Sequence, residues 1–168
     1  MVPMNSPDRV MLDTNIFDKL LADPGAINVL NDLTKRSLVV ILTTHVQADE
    51  LAAIPDVNAA RRVSLEAVYR QLDMTEIPTS GAIWGVSRFD RSMWGDGSGS
   101  LRIGDIMRSN PKDAEDALIA ITAAASADIF VTAETKELPN RIKAKGTALE
   151  VLSFEEFMAR MRALSKGP

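Results

Sequence analysis

The 168-residue chain is long enough for one domain with a proper core and short for two, and its 46% hydrophobic and 25% charged residues are ordinary for a globular protein. It has no cysteine, which excludes disulfides, thiolate zinc sites and cysteine nucleophiles. The net charge of −4 argues against a protein that coats nucleic acid without regard to sequence, although metal-binding carboxylates would make even a nuclease acidic.

The N-terminal MVPMNSPDRV lacks the basic start and apolar run of a secretory signal. The most apolar stretch, 117–127, is too short to span a bilayer. A cytoplasmic protein without membrane contact is the expectation. Residues 9–13 (RVMLD) read as a first strand ending in Asp13, and Ile16, Leu20 and Leu21 then recur at helical spacing. Asp23-Pro24 is a cap followed by proline in a first turn, opening a helix to about Leu33. The β-branched run 37–42 (SLVVIL) fits a buried parallel strand. Thr43-Thr44 caps a helix to about Ile54 that carries Glu50, and His45 belongs to its start.

Asp56 opens a further helix to about Asp73, and residues 74–77 form an edge strand. Asn110-Pro111 repeats the cap-then-proline signature ahead of an apolar helix to about Ala127. DIFVT (128–132) is a strand, and 135–145 a helix disturbed by Pro139 and closed by Gly146. Residues 148–152 are a last strand, and Ser153 caps a final helix. Phe154, Phe157, Met158, Met161 and Leu164 recur on it at helical spacing, as core or as a self-association surface that would make a homodimer. Alternating strands and helices predict a three-layer α/β/α fold with a central, mostly parallel sheet over residues 1–168.

A Gly- and Trp-rich insertion at about 78–110 interrupts this rhythm. Its GDGSGS run is a turn rather than a phosphate-binding fingerprint, because no strand leads directly into it. Within 78–112, Arg88, Arg91, Arg102, Arg108 and Lys112 outnumber Asp90, Asp96 and Asp105. Trp84, Phe89 and Trp94 lie among them. Aromatics interleaved with arginines suit unstacked RNA bases; alternatively the tryptophans pin a long loop to the core, or the segment docks an inhibitory partner.

Four acids stand where successive α/β units end: Asp13, Glu50, Asp116 and Glu134. Singly, each has an ordinary reading as a helix cap, a solvated glutamate or a favourable first-turn charge. Together they point to one edge of a parallel sheet, where clustered carboxylates repel one another and a hard divalent cation relieves the repulsion. Asn15 would orient Asp13, and Thr132 would bond a water or a neighbouring carboxylate or cap the next helix. Asp113 lies one turn before Asp116, at the spacing of a shared helix face, while Glu137 is the alternative fourth acid. A Ser-His-Asp triad would have to use His45, the only histidine, and no serine is marked as its partner.

With VMLDTNIF, TTHVQADEL, DALIAITAA and ADIFVTAETKEL in this order, and VLSFEEF closing the chain, the sequence resembles the PIN-domain ribonucleases, which include the toxins of VapBC-type toxin–antitoxin pairs. The resemblance implies a PIN-like fold. It also implies an endoribonuclease that uses one or two Mg²⁺ or Mn²⁺ ions to cut single-stranded or looped RNA, with an antitoxin protein as a partner if the chain is a toxin. Carried over by position, the metal-binding and catalytic acids are Asp13, Glu50, Asp116 and Glu134, with Asn15 and Thr132 in support. Asp13 and Asp116 would be direct ligands, and Glu50 a ligand or the acceptor of the water proton. The family's pattern has Asp where this chain has Glu134, one methylene longer. Two rivals differ in class: a catalytically inactive PIN-like module that binds RNA or protein, and a receiver-like domain phosphorylated on Asp13. Receiver-like domains carry more than one acid at the first strand, whereas this first strand ends in a single Asp.

Overall fold

A computed structural model describes residues 6–93, 101–107 and 113–167. Its centre is a five-stranded, wholly parallel sheet in the order β3-β2-β1-β4-β5. These strands are β1 (Asp8–Leu12), β2 (Val39–Thr43), β3 (Met74–Glu76), β4 (Ile129–Val131) and β5 (Glu150–Leu152). Alternation along each strand sends side chains to two separate cores, as the pleat requires. Val10, Leu12, Ile41, Ile129 and Val131 pack on one face with Phe17, Leu30, Leu65 and Phe157. Met11, Leu42 and Phe130 pack on the other with Leu118, Ala120, Leu138 and Ile142. Burial on both faces explains why these strands read as continuous apolar runs. The fold is a three-layer α/β/α sandwich.

The helices on the first face include α1 (Ile16–Ala22), α2 (Pro24–Lys35), α4 (Ala59–Gln71) and α8 (Phe154–Ser165). Helix α2 begins on the Asp23 carboxylate, which accepts from the Ala26 amide. It ends on Ser37, whose φ of 56° places a non-glycine residue in the left-handed region. There Leu38 N–H bonds Leu33 C=O and Ser37 N–H bonds Thr34 C=O, the paired bonds of a Schellman closure. Helix α8 starts with a reciprocal capping box between Ser153 and Glu156.

The second face holds α6 (Ala114–Ser126) and α7 (Glu137–Ala144), with the one-turn α5 (Ile103–Ile106) packed against both. Helix α6 is apolar nearly all round because it lies inside the molecule: every residue from Ala117 to Ala123 is buried. Pro139 is tolerated in α7 because it is the third residue, where backbone N–H groups have no intrahelical acceptor to lose. Helix α3 (His45–Ala52) bridges the layers, with Val46 in one core and Leu51 in the other.

Within the insertion, Trp84 is 95% exposed and does not pin the segment to the core. That anchoring falls to smaller groups. Thr122 of α6 accepts from the Ser80 amide at 3.0 Å, and Gly81 lies so close to Ile121 that an added Cβ would meet its Cδ1 at 2.8 Å. Trp94, the GDGSGS run, Arg108, Asn110-Pro111 and Lys112 lie outside the described residues. Among the described residues, no helix is long and apolar enough to cross a membrane.

Candidate functional site

Strand β1 has β2 on one side and β4 on the other, and the chain proceeds outward from β1 in both directions. The order reverses between β1 and β4, which opens a crevice beyond their carboxyl ends. Leu12 is in register with Val131, so Asp13 and Thr132 leave the sheet side by side. Asp13 N–H bonds Val131 C=O at 2.9 Å and extends the ladder by one step.

The Asp13 side chain is only 3% exposed. Its Oδ1 accepts from the Thr14 amide at 2.8 Å, and its Oδ2 accepts from Asn15 Nδ2 and from Thr132 Oγ1, both at 2.7 Å. Asn15 also accepts the Ala133 amide on its Oδ1 at 3.0 Å, so one side chain ties the ends of β1 and β4 together. Burial pushes the Asp13 carboxyl above the ordinary carboxylate range; the three hydrogen bonds oppose that rise, and the charge of Glu134 adds to it.

Glu50 comes from the adjacent unit on α3. The helix start is fixed by Thr44, whose side chain caps it in a reciprocal box with Gln47. Gln47 is fully buried, and its Nε2 donates to the Leu12 carbonyl at 3.1 Å. This bond sets α3 against the end of β1 and brings the next turn, with Glu50, to the same edge. Thr14 Oγ1 donates to Glu50 Oε2. Burial raises the Glu50 carboxyl to about 7; the Thr14 bond lowers it, and Glu115, Asp116 and Asp13 raise it further.

Asp116 is the third residue of α6, a first-turn position that favours negative charge. Among the described residues it accepts no hydrogen bond. Burial, then the charges of Asp13, Glu134, Asp113 and Glu115, lift it to about 6. Glu134 follows Thr132, whose Oγ1 accepts the Glu134 amide at 3.1 Å. Its Oε1 accepts the amides of Glu137 and Leu138 at 3.1 and 3.0 Å, so this carboxylate also caps the first turn of α7.

Asp113, Asp116, Glu134 and Glu137 line one small cleft with Arg141, Ile106 and Leu138. Glu137 is exposed and pairs with Arg141 at 3.1 Å. Among the described residues, no Lys or Arg forms an ion pair with Asp13, Glu50, Asp116 or Glu134. The same residues contain no three Asp, Glu, His or Cys side chains standing closely enough to form a ready-made metal-binding group. Glu50 is turned onto Thr14 and Glu134 onto the α7 amides, so the four acids share an edge and an electrostatic field rather than one tight cluster.

The basic segment is less available than its composition implies. Arg88 pairs with Asp49 at 2.5 Å and Arg91 with Glu76 at 3.0 Å. Arg102 is exposed at the start of α5 and donates its amide to Asp105. Trp84, Phe89 and Arg88 share the wall of a separate, mostly apolar pocket. His45 is buried at the head of α3, and neither ring nitrogen has a hydrogen-bond partner among the described residues.

Thr14, Gln47 and Arg141 had no role in the sequence reading. The TTHVQ spacing of a capping box would have marked Gln47. Nothing local marks Thr14, whose partner lies 36 residues away, and for Arg141 the i,i+4 spacing marks the Glu137 pair but not the bond to Ile106, 35 residues away.

No family model matches the chain, and no curated protein matches it. Among solved structures it is similar to the crystal structure of PAE2754 from Pyrobaculum aerophilum, with a TM-score of 0.48 and 16% identity over 96% of each chain. At that identity no residue's role is carried across.

Proposed function

We propose that the chain is a divalent-metal-dependent endoribonuclease of the PIN type, acting on single-stranded or looped RNA. The observation that carries this reading is the electrostatic coupling of Asp13, Glu50, Asp116 and Glu134 at the sheet's reversal point, with no cation paired to any of them among the described residues. Mutual repulsion and burial there have no evident value to folding, and a ligand of opposite charge relieves both.

The donor set fits Mg²⁺ or Mn²⁺, since every candidate ligand is a carboxylate oxygen. Asp13 and Asp116 would hold the ion, with Glu134 completing the set and Glu50 either joining it or serving as the proton acceptor. Bound there, the ion would lower the pKa of water and offset charge developing on the phosphoryl oxygens. Asn15 and Thr132 fix the direction of the Asp13 carboxylate, and the apolar residues beneath it keep that geometry stiff. Glu50, with its carboxyl near neutrality, is suited to take a proton at an Oε atom from the attacking water. Asp113 adds negative charge beside Asp116 without being required as a ligand.

The test is cleavage of a labelled RNA with Mn²⁺, with and without chelator, for the wild type, Asp116→Asn and Asp13→Asn. Loss of cleavage in both variants, with the fold retained, supports the assignment. Full activity in either ends that residue's role. The Glu134 cap on α7 favours one second reading, an inactive module of the same fold that binds RNA or a protein partner. Intact RNA binding without metal-dependent cleavage would select it. A toxin's role, with an antitoxin as partner, rests on the sequence resemblance, and an antitoxin reading frame beside the gene would support it.

A further inference from the structure

Arg141 is the only cation among the described residues lining the acidic cleft. Its side chain is 22% exposed, and two bonds fix its plane. One Nη donates to the Ile106 carbonyl at 2.5 Å, the other to Glu137 Oε2 at 3.1 Å. A guanidinium has five N–H donors, so more of its fork remains to be used. The two anchors differ in kind. The Ile106 carbonyl belongs to α5 and holds one arm of the guanidinium in place, whereas Glu137 is an exposed i,i+4 partner of the sort that contributes little.

Resting on the hydrolysis proposed above, we infer that Arg141 contacts a phosphate of the RNA backbone in the cleft between α5 and α7. A phosphodiester approaching Asp113, Asp116, Glu134 and Glu137 meets a wall of its own charge. Arg141 supplies a permanent positive charge on that wall, in a planar fork that matches two phosphate oxygens. The phosphate would replace the Glu137 carboxylate on one arm while the Ile106 carbonyl keeps the other. Arg88 and Arg91 pair with Asp49 and Glu76 and do not line this cleft, which leaves Arg141 as the better placed of the three. The competing account is a structural clasp, in which Arg141 only ties α5 to α7.

The experiment measures kcat/KM on a labelled single-stranded RNA with Mn²⁺, at several salt concentrations, for the full chain and for Arg141→Ala and Arg141→Lys. Thermal midpoints with and without Mn²⁺ are recorded for each. One phosphate contact contributes about 0.7 to the slope of log affinity against log salt on single strands. Arg141→Ala is expected to lose roughly 10–100-fold in kcat/KM, as for a charge-assisted hydrogen bond, mainly through KM. Its salt slope should flatten by about 0.7, and Arg141→Lys should restore the slope but only part of the rate. The Mn²⁺-induced rise in midpoint should be the same in all three proteins. An unchanged salt slope in Arg141→Ala overturns the phosphate contact, even if the variant is less stable or slower. Loss of the Mn²⁺ effect in that variant also overturns it, because Arg141 would then act through the acids. A wild type that cleaves no RNA overturns the nuclease reading and this one with it.

Discussion

Glu50→Gln should make the metal-free protein more stable at alkaline pH and leave it unchanged in acid. The Glu50 carboxyl is raised from 4.5 to about 7, chiefly by burial. One pKa unit corresponds to about 1.4 kcal/mol, so the whole rise is worth about 3 kcal/mol. The sign follows from which state binds the proton more tightly. The folded protein does, so this contribution is fully present below pH 4.5 and lost as the pH rises through 7. Glutamine keeps an acceptor for the Thr14 hydroxyl and never ionises. In chelator, thermal unfolding of the two proteins should therefore coincide near pH 4.5 and separate steadily to about pH 8. For a chain of this length the full separation is roughly 6–12 °C in favour of Glu50→Gln. A gap independent of pH, or a variant less stable than the wild type at pH 8, would refute the claim that an unpaired, partly buried charge resides at this edge.

Three further outcomes are expected. Saturating Mn²⁺ should raise the wild-type midpoint, by about 2.7 kcal/mol of stability at one hundred times the dissociation constant, and chelator should reverse it. The gain should fall sharply in Asp116→Asn; an equal gain in the variant would remove Asp116 from the ligand set. His45→Leu should stabilise the protein by about 1 kcal/mol, because it removes two buried nitrogens that have no hydrogen-bond partner among the described residues; denaturant titration showing a loss would mean that the ring is satisfied in solution. Ser37→Gly should add about 1 kcal/mol by relieving the left-handed backbone at the end of α2, again read from denaturant titration.

The strands and most helix starts were legible because their signals are local. VMLD, SLVVIL and DIFVT are apolar runs in a sheet buried on both faces, and Asp23, Thr44 and Ser153 cap the helices that follow them. The site was legible only as residue types at strand ends. Its hydrogen bonds join Asn15 to Ala133 and Thr132 to Asp13 across 118 and 119 residues, and no local pattern encodes such a pairing. Charge counting over 78–112 could not show which cations are paired, for a related reason. Arg88 and Arg91 find their partners in Asp49 and Glu76, on α3 and β3, so a local excess of cations does not translate into unpaired ones. At Trp84 the sequence misleads in another way, since a large aromatic in a long loop reads as an anchor and here faces solvent.

The side chain of Asn15 has a consequence for how the protein comes into being. It joins the first strand to a segment that is synthesised more than a hundred residues later. During translation Asp13 emerges well before the groups that orient it, Thr132 and the Ala133 amide, which lie 119 and 120 residues further along. Contacts so distant in the chain form late, after the closure of a large loop. The carboxylate frame around Asp13 therefore cannot close until well over a hundred further residues have been made and have folded back onto the first strand.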